Sequence, residues 1–389
     1  MTNNAIEQLD DLISISEEFI RLTHTESHKP EEFKKLRLFS TAETEKMVNK
    51  SRTTIQRAEN DGVISAPARE PNSNHRVGYS LEQINTLRDH FSTLPGREEG
   101  DEALVLAIAN FKGGCAKTTS TVNLSQYLAL EGYKVLVVDM DSQATLTSMF
   151  GFIPDMDFNA DNTVLPYFNG EKDALDYAVH TTHIPNVHII PACLELYHAE
   201  LGAASHISEM ASVEERIDFF KTLRYGIDSI RDNYDVILVD SPPSLGIISV
   251  NVLLAADALL VPCACKMYDF SSTTQFFRMV KDYISKLDPD KAYKFIKVVA
   301  SQYDRREHNQ KDFLEVLKGS FGDRMLTTPF LSSSEIAKSA ARFETPYEQS
   351  KPNRRIIDNM ALAFKEVELE ILKTWPSKED KLIELGVLI

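Results

Sequence analysis

From Ala103 onward the chain alternates short apolar runs with longer segments of helical periodicity. Ala103–Ala109 is continuously apolar, and further runs stand at Val135–Val138, Val187–Ile190, Val236–Val239, Ala258–Val261, Phe295–Ala300 and Leu326–Phe330. Runs of this kind read as strands buried on both faces. Separated by helices, they predict an α/β domain with a mostly parallel sheet covered on both sides. The first hundred residues carry a different pattern. Asn4–Thr25 places Ile6, Leu9, Leu12, Ile13, Phe19, Ile20 and Leu22 at helical spacing. Such a helix ahead of any compact unit exposes an apolar stripe. The stripe needs a partner, either a second subunit or the rest of its own chain.

Leu38–Phe91 reads as a small unit of short helices. Ser40-Thr41 can cap a helix to about Val48, Asn49-Lys50 makes a turn, and Ser51 caps a second helix, Arg52–Asn60. Asp61-Gly62 ends it. A loop from Ala66 to Arg76 and a third helix from Leu81 to Phe91 follow. Leu94–Asp101, with Pro95-Gly96 and a charge run, reads as a linker.

Composition narrows the class. A chain of 389 residues is long enough for two or three domains. No apolar run approaches the width of a bilayer, and Met1–Asp10 is polar, so neither a membrane helix nor a signal peptide is expected. Cys115, Cys193, Cys263 and Cys265 lack zinc spacing and suit buried, reduced thiols of the cytosol. The net charge of −16 argues against general coating of nucleic acid, although charge can be segregated by domain.

The chemistry gathers where the first apolar run ends. Ala103–Ala109 leads into Lys112-Gly113-Gly114-Cys115-Ala116-Lys117-Thr118-Thr119, and a helical pattern follows. Strand, glycine turn, then Lys-Thr opening a helix is the layout of a phosphate-binding loop. Backbone N–H groups and the helix dipole meet the anion, the lysine reaches the terminal phosphates and the Thr hydroxyl holds Mg²⁺. The general pattern has Gly where this chain has Phe111 and Ala116. Two later strands end in carboxylates, at Asp139-Met140-Asp141-Ser142-Gln143 and at Asp240-Ser241-Pro242-Pro243. In a parallel sheet such ends converge beside the phosphate loop. A lone Asp there is as readily a helix cap; two such strands together point to chemistry.

The loop resembles the deviant Walker A sequence KGGxxK[ST] of the ParA/MinD ATPases. The two acidic segments resemble that family's DxDPQ and DxPP motifs, with Ser142 replacing Pro. Stretches at Thr163–Asp173, Ile189–Leu194 and Tyr268–Phe277 are similar to those of the helix-turn-helix-bearing partition ATPases of F-type plasmids, a likeness running from about Leu36 to about Lys365. The small N-terminal unit resembles the winged helix-turn-helix of MerR-like proteins, whose second helix enters the major groove. By this resemblance residues 1–30 form a dimerising helix, 36–93 a DNA-binding unit, 94–102 a linker and 103–389 the ATPase.

The resemblance implies a weak ATPase using ATP/ADP and Mg²⁺. Lys112, Gly113, Gly114, Cys115, Ala116, Lys117, Thr118 and Thr119 would bind nucleotide, with Lys112 reaching across a homodimer to the partner's phosphates. Thr118 would hold Mg²⁺ through its hydroxyl and Asp240 through a water. Asp141 would orient water, supported by Asp139. Ser51, Arg52, Thr53, Thr54 and Arg57 would face DNA, with Arg69, His75 and Arg76 in the wing; hydroxyls and arginines at a helix start suit phosphate and guanine contacts. Lys338, Arg342, Lys351, Arg354 and Arg355, within Ser332–Arg355, would bind DNA without sequence preference, or simply form a solvated face. The implied role is plasmid partition beside the bacterial nucleoid. The ATP-bound dimer would bind nucleoid DNA, the ADP or apo form would repress its own operator, and a ParB-type protein would stimulate hydrolysis. The alternative is a nucleotide-sensing repressor without significant hydrolysis. A MinD-like membrane ATPase is disfavoured by the short, mixed-charge tail Lys378–Ile389.

Overall fold

The computed structural model describes residues 4–27, 34–69, 76–340, 342–349 and 353–388. Helix α1 (Ala5–Ser27) leaves Ile6, Leu9, Leu12, Ile13 and Phe19 each more than half exposed. Of the remaining stripe positions, the side chains of Ile20 and Leu22 lie outside the described ones.

The next unit is built by capping. Ser40 and Glu43 form a reciprocal capping box at the start of α2 (Thr41–Val48), and Asn49 ends it in the left-handed conformation. Ser51 Oγ accepts from Thr54 N to start α3 (Arg52–Asn60). Ser80 and Gln83 form a second box at α4 (Leu81–His90). Two isolated antiparallel bridges, Phe39 with Tyr79 and Arg69 with Arg76, complete the unit.

Among the described residues seven strands form one sheet in the order β3-β4-β2-β5-β1-β6-β7. They are β1 (Leu104–Ile108), β2 (Val135–Asp139), β3 (His180–Thr181), β4 (Val187–Ile190), β5 (Val236–Asp240), β6 (Ala258–Ala264) and β7 (Phe295–Ser301). Every pairing is parallel except β3 with β4. The principal helices that cover it are α5 (Lys117–Glu131), α6 (Thr145–Met149), α7 (Leu196–Glu209), α8 (Ile247–Ala255), α9 (Met267–Leu287), α10 (Ser334–Ala340) and α11 (Arg354–Leu372). The strand period of two splits each apolar run between two cores. Leu104, Leu106, Val135 and Val137 pack with Val122 and Leu128 of α5 and with Phe364 and Val367 of α11. Val105, Ala107, Leu136 and Val138 pack with Val252 and Leu253 of α8 and with Phe276 of α9. All four cysteines are buried and form no disulfide, as expected of cysteines that lack zinc spacing.

One expected strand is absent. Leu326 N and Phe330 N each donate a single bond to β7, to Val298 O and Ala300 O, both at 2.8 Å. Between them Thr327 N and Thr328 N donate to the Glu366 carboxylate at 2.6 and 2.9 Å, and Pro329 has no N–H to offer. A ladder therefore cannot form.

The small unit docks on the end of α5. Arg88 of α4 is 2 % exposed; its guanidinium donates to Met47 O (2.9 Å), Asn85 Oδ1 (3.0 Å) and Leu130 O (2.7 Å). Two of those acceptors are carbonyls at helix C-termini, where the dipole favours a cation. Burial nonetheless pulls the guanidinium down to about 10. Gly132, at φ +112°, makes room for it, since a Cβ there would lie 3.0 Å from Arg88 Nη1. Replacing Arg88 by Met should strand those carbonyls and loosen the docking at a cost of roughly 2–4 kcal/mol. Chemical unfolding followed by far-ultraviolet circular dichroism checks this, with an early separate transition for the small unit as the expected sign.

Candidate nucleotide site

The C-terminal ends of β1, β2 and β5 lie side by side, and the loop after β1 wraps the first turn of α5. Gly114 and Ala116 both adopt left-handed backbone, at φ +70° and +75°. Ser301 Oγ donates to Cys115 O at 2.9 Å, and Gln302 Nε2 donates to Gly114 O. A trans peptide points its N–H opposite its C=O, so the N–H groups of Cys115 and Ala116 face away from β7, into the loop. Asn110 secures the loop's start: its Oδ1 accepts from Lys112 N (3.2 Å) while its Nδ2 donates to Pro262 O (2.8 Å). Lys117 Nζ donates to Lys112 O at 3.2 Å, which folds the ammonium over the nest. Oriented N–H groups, a helix N-terminus and an ammonium together make an anion cradle.

The acidic ends are placed beside it. Asp139 and Asp240 are register partners on adjacent strands, and both are fully buried. Burial pushes Asp139 up to about 7 against the hydrogen bonds it accepts; burial and then the Asp139 charge push Asp240 up to about 8. Asp240 Oδ2 accepts from Thr118 Oγ1 at 2.6 Å and Oδ1 from Thr121 Oγ1 at 3.1 Å. Asp139 Oδ2 accepts from Thr147 N and Oγ1 at 2.9 and 2.8 Å, and its Oδ1 accepts from Asp141 N at 3.1 Å. Asp139 thus holds the turn that presents Asp141, whose half-exposed side chain also accepts from Gln143 N at 3.0 Å.

The donor set fits a hard divalent cation. Among the described residues no cluster of three or more His, Cys, Asp or Glu could hold a metal alone. Thr118 and Asp240 supply two adjacent oxygens, the number expected where phosphate and water complete the shell. A cavity of about 350 Å³ runs from the loop along α5, past Ala116, Thr119, Ser120 and Asn123, to Phe330 and Ser332.

The phosphate-loop residues and the three aspartates are therefore brought together. The DNA-facing candidates are not part of this cluster. Ser51, Arg52, Thr53 and Arg57 are exposed on α3, with Thr54 half-buried. Arg76 is engaged internally: it pairs with both Glu59 oxygens at 2.6 and 2.9 Å and donates to Tyr79 Oη at 2.8 Å. Lys338, Arg342, Arg354 and Arg355 are exposed, on or near α10 and the start of α11. His75 and Lys351 lie outside the described residues. Sequence reasoning missed Thr121, Thr147, Ser301 and Gln302. Thr121 stands one helical turn beyond Thr118, a spacing that could have revealed it; the others carry no local signal.

A phosphate-loop nucleotide-binding protein, with a second lysine at the loop's start and paired strand-end carboxylates, is the class that this geometry defines. Residues 103–292 match the family described as AAA domain. Protein SopA of Escherichia coli K12 is 33% identical over 339 residues, covering 86% of this chain and 87% of that one. The chromosome partitioning protein ParA of Caulobacter vibrioides is 33% identical over 223 residues, covering 57% and 78%. The chain belongs to the ParA-type plasmid partition ATPases. A cobyrinic acid a,c-diamide synthase of Mycobacterium smegmatis, solved with ADP and magnesium, aligns with TM-score 0.51 and 27% identity over 62% of this chain and 94% of that one. A structure described as a partition protein shares the fold over 93% of this chain and 98% of its own, with TM-score 0.63 and 18% identity.

Ala116 occupies a backbone region that costs a non-glycine residue about 1–2 kcal/mol. Ala116→Gly should relieve that strain and raise stability by roughly 0.5–1 kcal/mol after its own chain-entropy cost. A denaturation midpoint that stays put or falls would show that the loop carries no strain there.

Proposed function

We propose that the chain binds ATP and ADP with Mg²⁺ at the loop Lys112–Thr119, hydrolyses ATP slowly, and uses the nucleotide state to choose between two modes of DNA binding. The observation that supports this best is the convergence of Lys117, Thr118, Asp139, Asp141 and Asp240 at one end of the sheet. Little covalent chemistry falls to the protein in phosphoryl transfer, so positioning and charge carry it. Lys117 gives up its contact with Lys112 O to meet the phosphates. Thr118 and Asp240 hold the cation, which when bound neutralises charge on the phosphate oxygens. Asp139, held by Thr147, fixes Asp141, and Asp141 orients the attacking water. The cavity along α5 takes the ribose and base. A pure nucleotide sensor needs no such water-orienting carboxylate, which favours hydrolysis over the sensor reading.

In this reading α1 joins two copies through its apolar stripe, and Lys112 reaches the partner's phosphates. The unit of α2, α3 and α4 reads operator DNA through Ser51, Arg52, Thr53, Thr54 and Arg57. Arg76 braces that unit by its pairing with Glu59. Lys338, Arg342, Arg354 and Arg355 serve sequence-independent binding. A ParB-type protein on a centromere-like site stimulates hydrolysis. Among the described residues no helix is long and apolar enough to cross a membrane.

ATP turnover with and without random duplex DNA and the product of the adjacent downstream gene tests the reading. Lys117→Ala should abolish nucleotide binding, whereas Lys112→Gln should bind nucleotide and lose stimulated turnover. Full stimulated turnover in Lys112→Gln would remove the cross-subunit role. Arg52→Ala and Arg57→Ala should each weaken operator protection by about 1–3 kcal/mol while ATP turnover stays intact. Footprinting decides; unchanged protection in both would move the reading surface off α3.

A further inference from the structure

Four segments far apart in sequence meet at one buried carboxylate. Glu348 has a side chain only 4% exposed. Its Oε1 lies 3.1 Å from Lys34 Nζ and 2.6 Å from His183 Nε2. Its Oε2 accepts from Thr345 N at 2.7 Å and from Gln126 Nε2 at 3.3 Å. Thr345 Oγ1 closes the group by donating to Gln126 Oε1. Burial works against the charge, yet the His183 and Lys34 contacts hold the carboxyl down at about 2.

Each arm leads to a different part of the molecule. Lys34 stands just before the unit of α2, α3 and α4. Its ammonium also donates to Met149 O at the end of α6, and its stem fills the space left at Gly151, where a Cβ would lie 2.8 Å from Lys34 Cδ. His183 belongs to the turn between β3 and β4. Thr345 and Glu348 lie between α10 and α11, and Gln349 Nε2 ties the same turn to Ser339 of α10 at 2.6 Å. Gln126 is on α5, about two turns beyond the end of the phosphate loop. Next to it Tyr127 donates to Glu368 of α11 at 2.7 Å.

A buried ion pair is a poor stabiliser: apolar replacements of the same volume are often neutral or better. Such a cluster specifies a geometry with discrete alternatives, because each Glu348 oxygen is shared between two partners. The first turn of α5 must exchange two contacts when phosphate arrives, Lys117 with Lys112 O and Thr118 with Asp240. Burial of α5 from Ser120 to Ala129 provides a packed route along which a displacement of that turn would reach Gln126. The Gln126 contact with Glu348 is the longest in the cluster and the first that such a displacement would break.

We infer that Glu348 and Gln126, with Thr345, Lys34 and His183, form a coupling site through which nucleotide at the start of α5 sets the placement of the DNA-reading unit and of the arginines that open α11. The inference rests on the nucleotide and DNA reading above. Coupling of this kind is reciprocal: if nucleotide changes DNA affinity by some factor, DNA changes nucleotide affinity by the same factor.

The test measures that factor in the full-length protein. The probes are MgADP and a duplex carrying the DNA upstream of the protein's own coding sequence. In the wild type, saturating MgADP should change duplex affinity by at least about fivefold, and the duplex should change MgADP affinity equally. Glu348→Gln and Gln126→Met should each bring the factor below about twofold, with MgADP affinity in the absence of DNA kept within about threefold. Gln126→Met leaves the Lys34–Glu348–His183 contacts in place, so it stands in if Glu348→Gln does not fold. In parallel, amide exchange at residues 34–38 and 345–349 should respond to MgADP in the wild type and not in the variants. Wild-type coupling retained in both variants, or exchange at these segments indifferent to MgADP, overturns the coupling site alone. A wild type that binds no MgADP overturns the functional reading, and the coupling site with it. A wild type that binds MgADP but not the duplex removes only the operator reading, and the exchange measurement then decides.

Discussion

A helix that must offer its first turn to phosphate cannot also be an ordinary amphipathic helix, and the architecture follows from that constraint on α5. Its N-terminus needs open backbone N–H groups, while its body from Ser120 to Ala129 is enclosed on every side. Polar side chains are accordingly shut inside it, and each must find a partner. Thr121 finds Asp240, Ser125 finds Val122 O, Gln126 finds the 345–348 turn, and Tyr127 finds Glu368. At its far end Leu130 O receives Arg88 from the small N-terminal unit. One rod therefore touches the phosphate nest, the sheet, α11 and the N-terminal unit.

The carboxylates show the same economy of placement. Asp139 and Asp240 sit on adjacent central strands in register, where neither can reach water. Two such groups side by side resist ionisation, so the site is electrostatically incomplete until positive charge is brought to it. Hydrogen bonds from Thr118, Thr121 and Thr147 offset part of that cost and fix the rotamers. Exposed arginines stand away from this site, Arg52 and Arg57 on α3 and Arg354 and Arg355 at the start of α11, on a chain whose net charge is −16.

Much of the fold was legible because strands buried on both faces leave a plain mark. Ala103–Ala109, Val135–Val138 and Val236–Val239 are unbroken apolar runs, and each holds a central strand. The caps at Ser40 and Ser51 were equally readable, since capping depends on residues a few positions apart. Leu326–Phe330 misled because its apolar ends do pack inward, while the Glu366 carboxylate, distant in sequence, takes the N–H groups that a ladder would need. β3 escaped notice because a two-residue strand has no period to detect. In the site, the loop and its aspartates could be read from spacing. Thr147, Ser301, Gln302 and Glu348 could not, because what each does is defined by a partner that only the folded chain brings near. Arg76 illustrates the converse: its charge looked available, yet Glu59 on the neighbouring helix takes both arms of the guanidinium.

The four enclosed thiols have a practical consequence. Cys115, Cys193, Cys263 and Cys265 are each under 5 % exposed, so the native surface offers thiol-directed dyes nothing to attack. Burial also drives the Cys265 thiol up to about 12, which lowers its reactivity further. A single cysteine introduced on α3 or near the start of α11 would then carry a fluorophore at one known position, without first stripping the protein of its own sulfur. Movements of the two basic surfaces could be followed separately, one dye at a time, in an otherwise unaltered molecule.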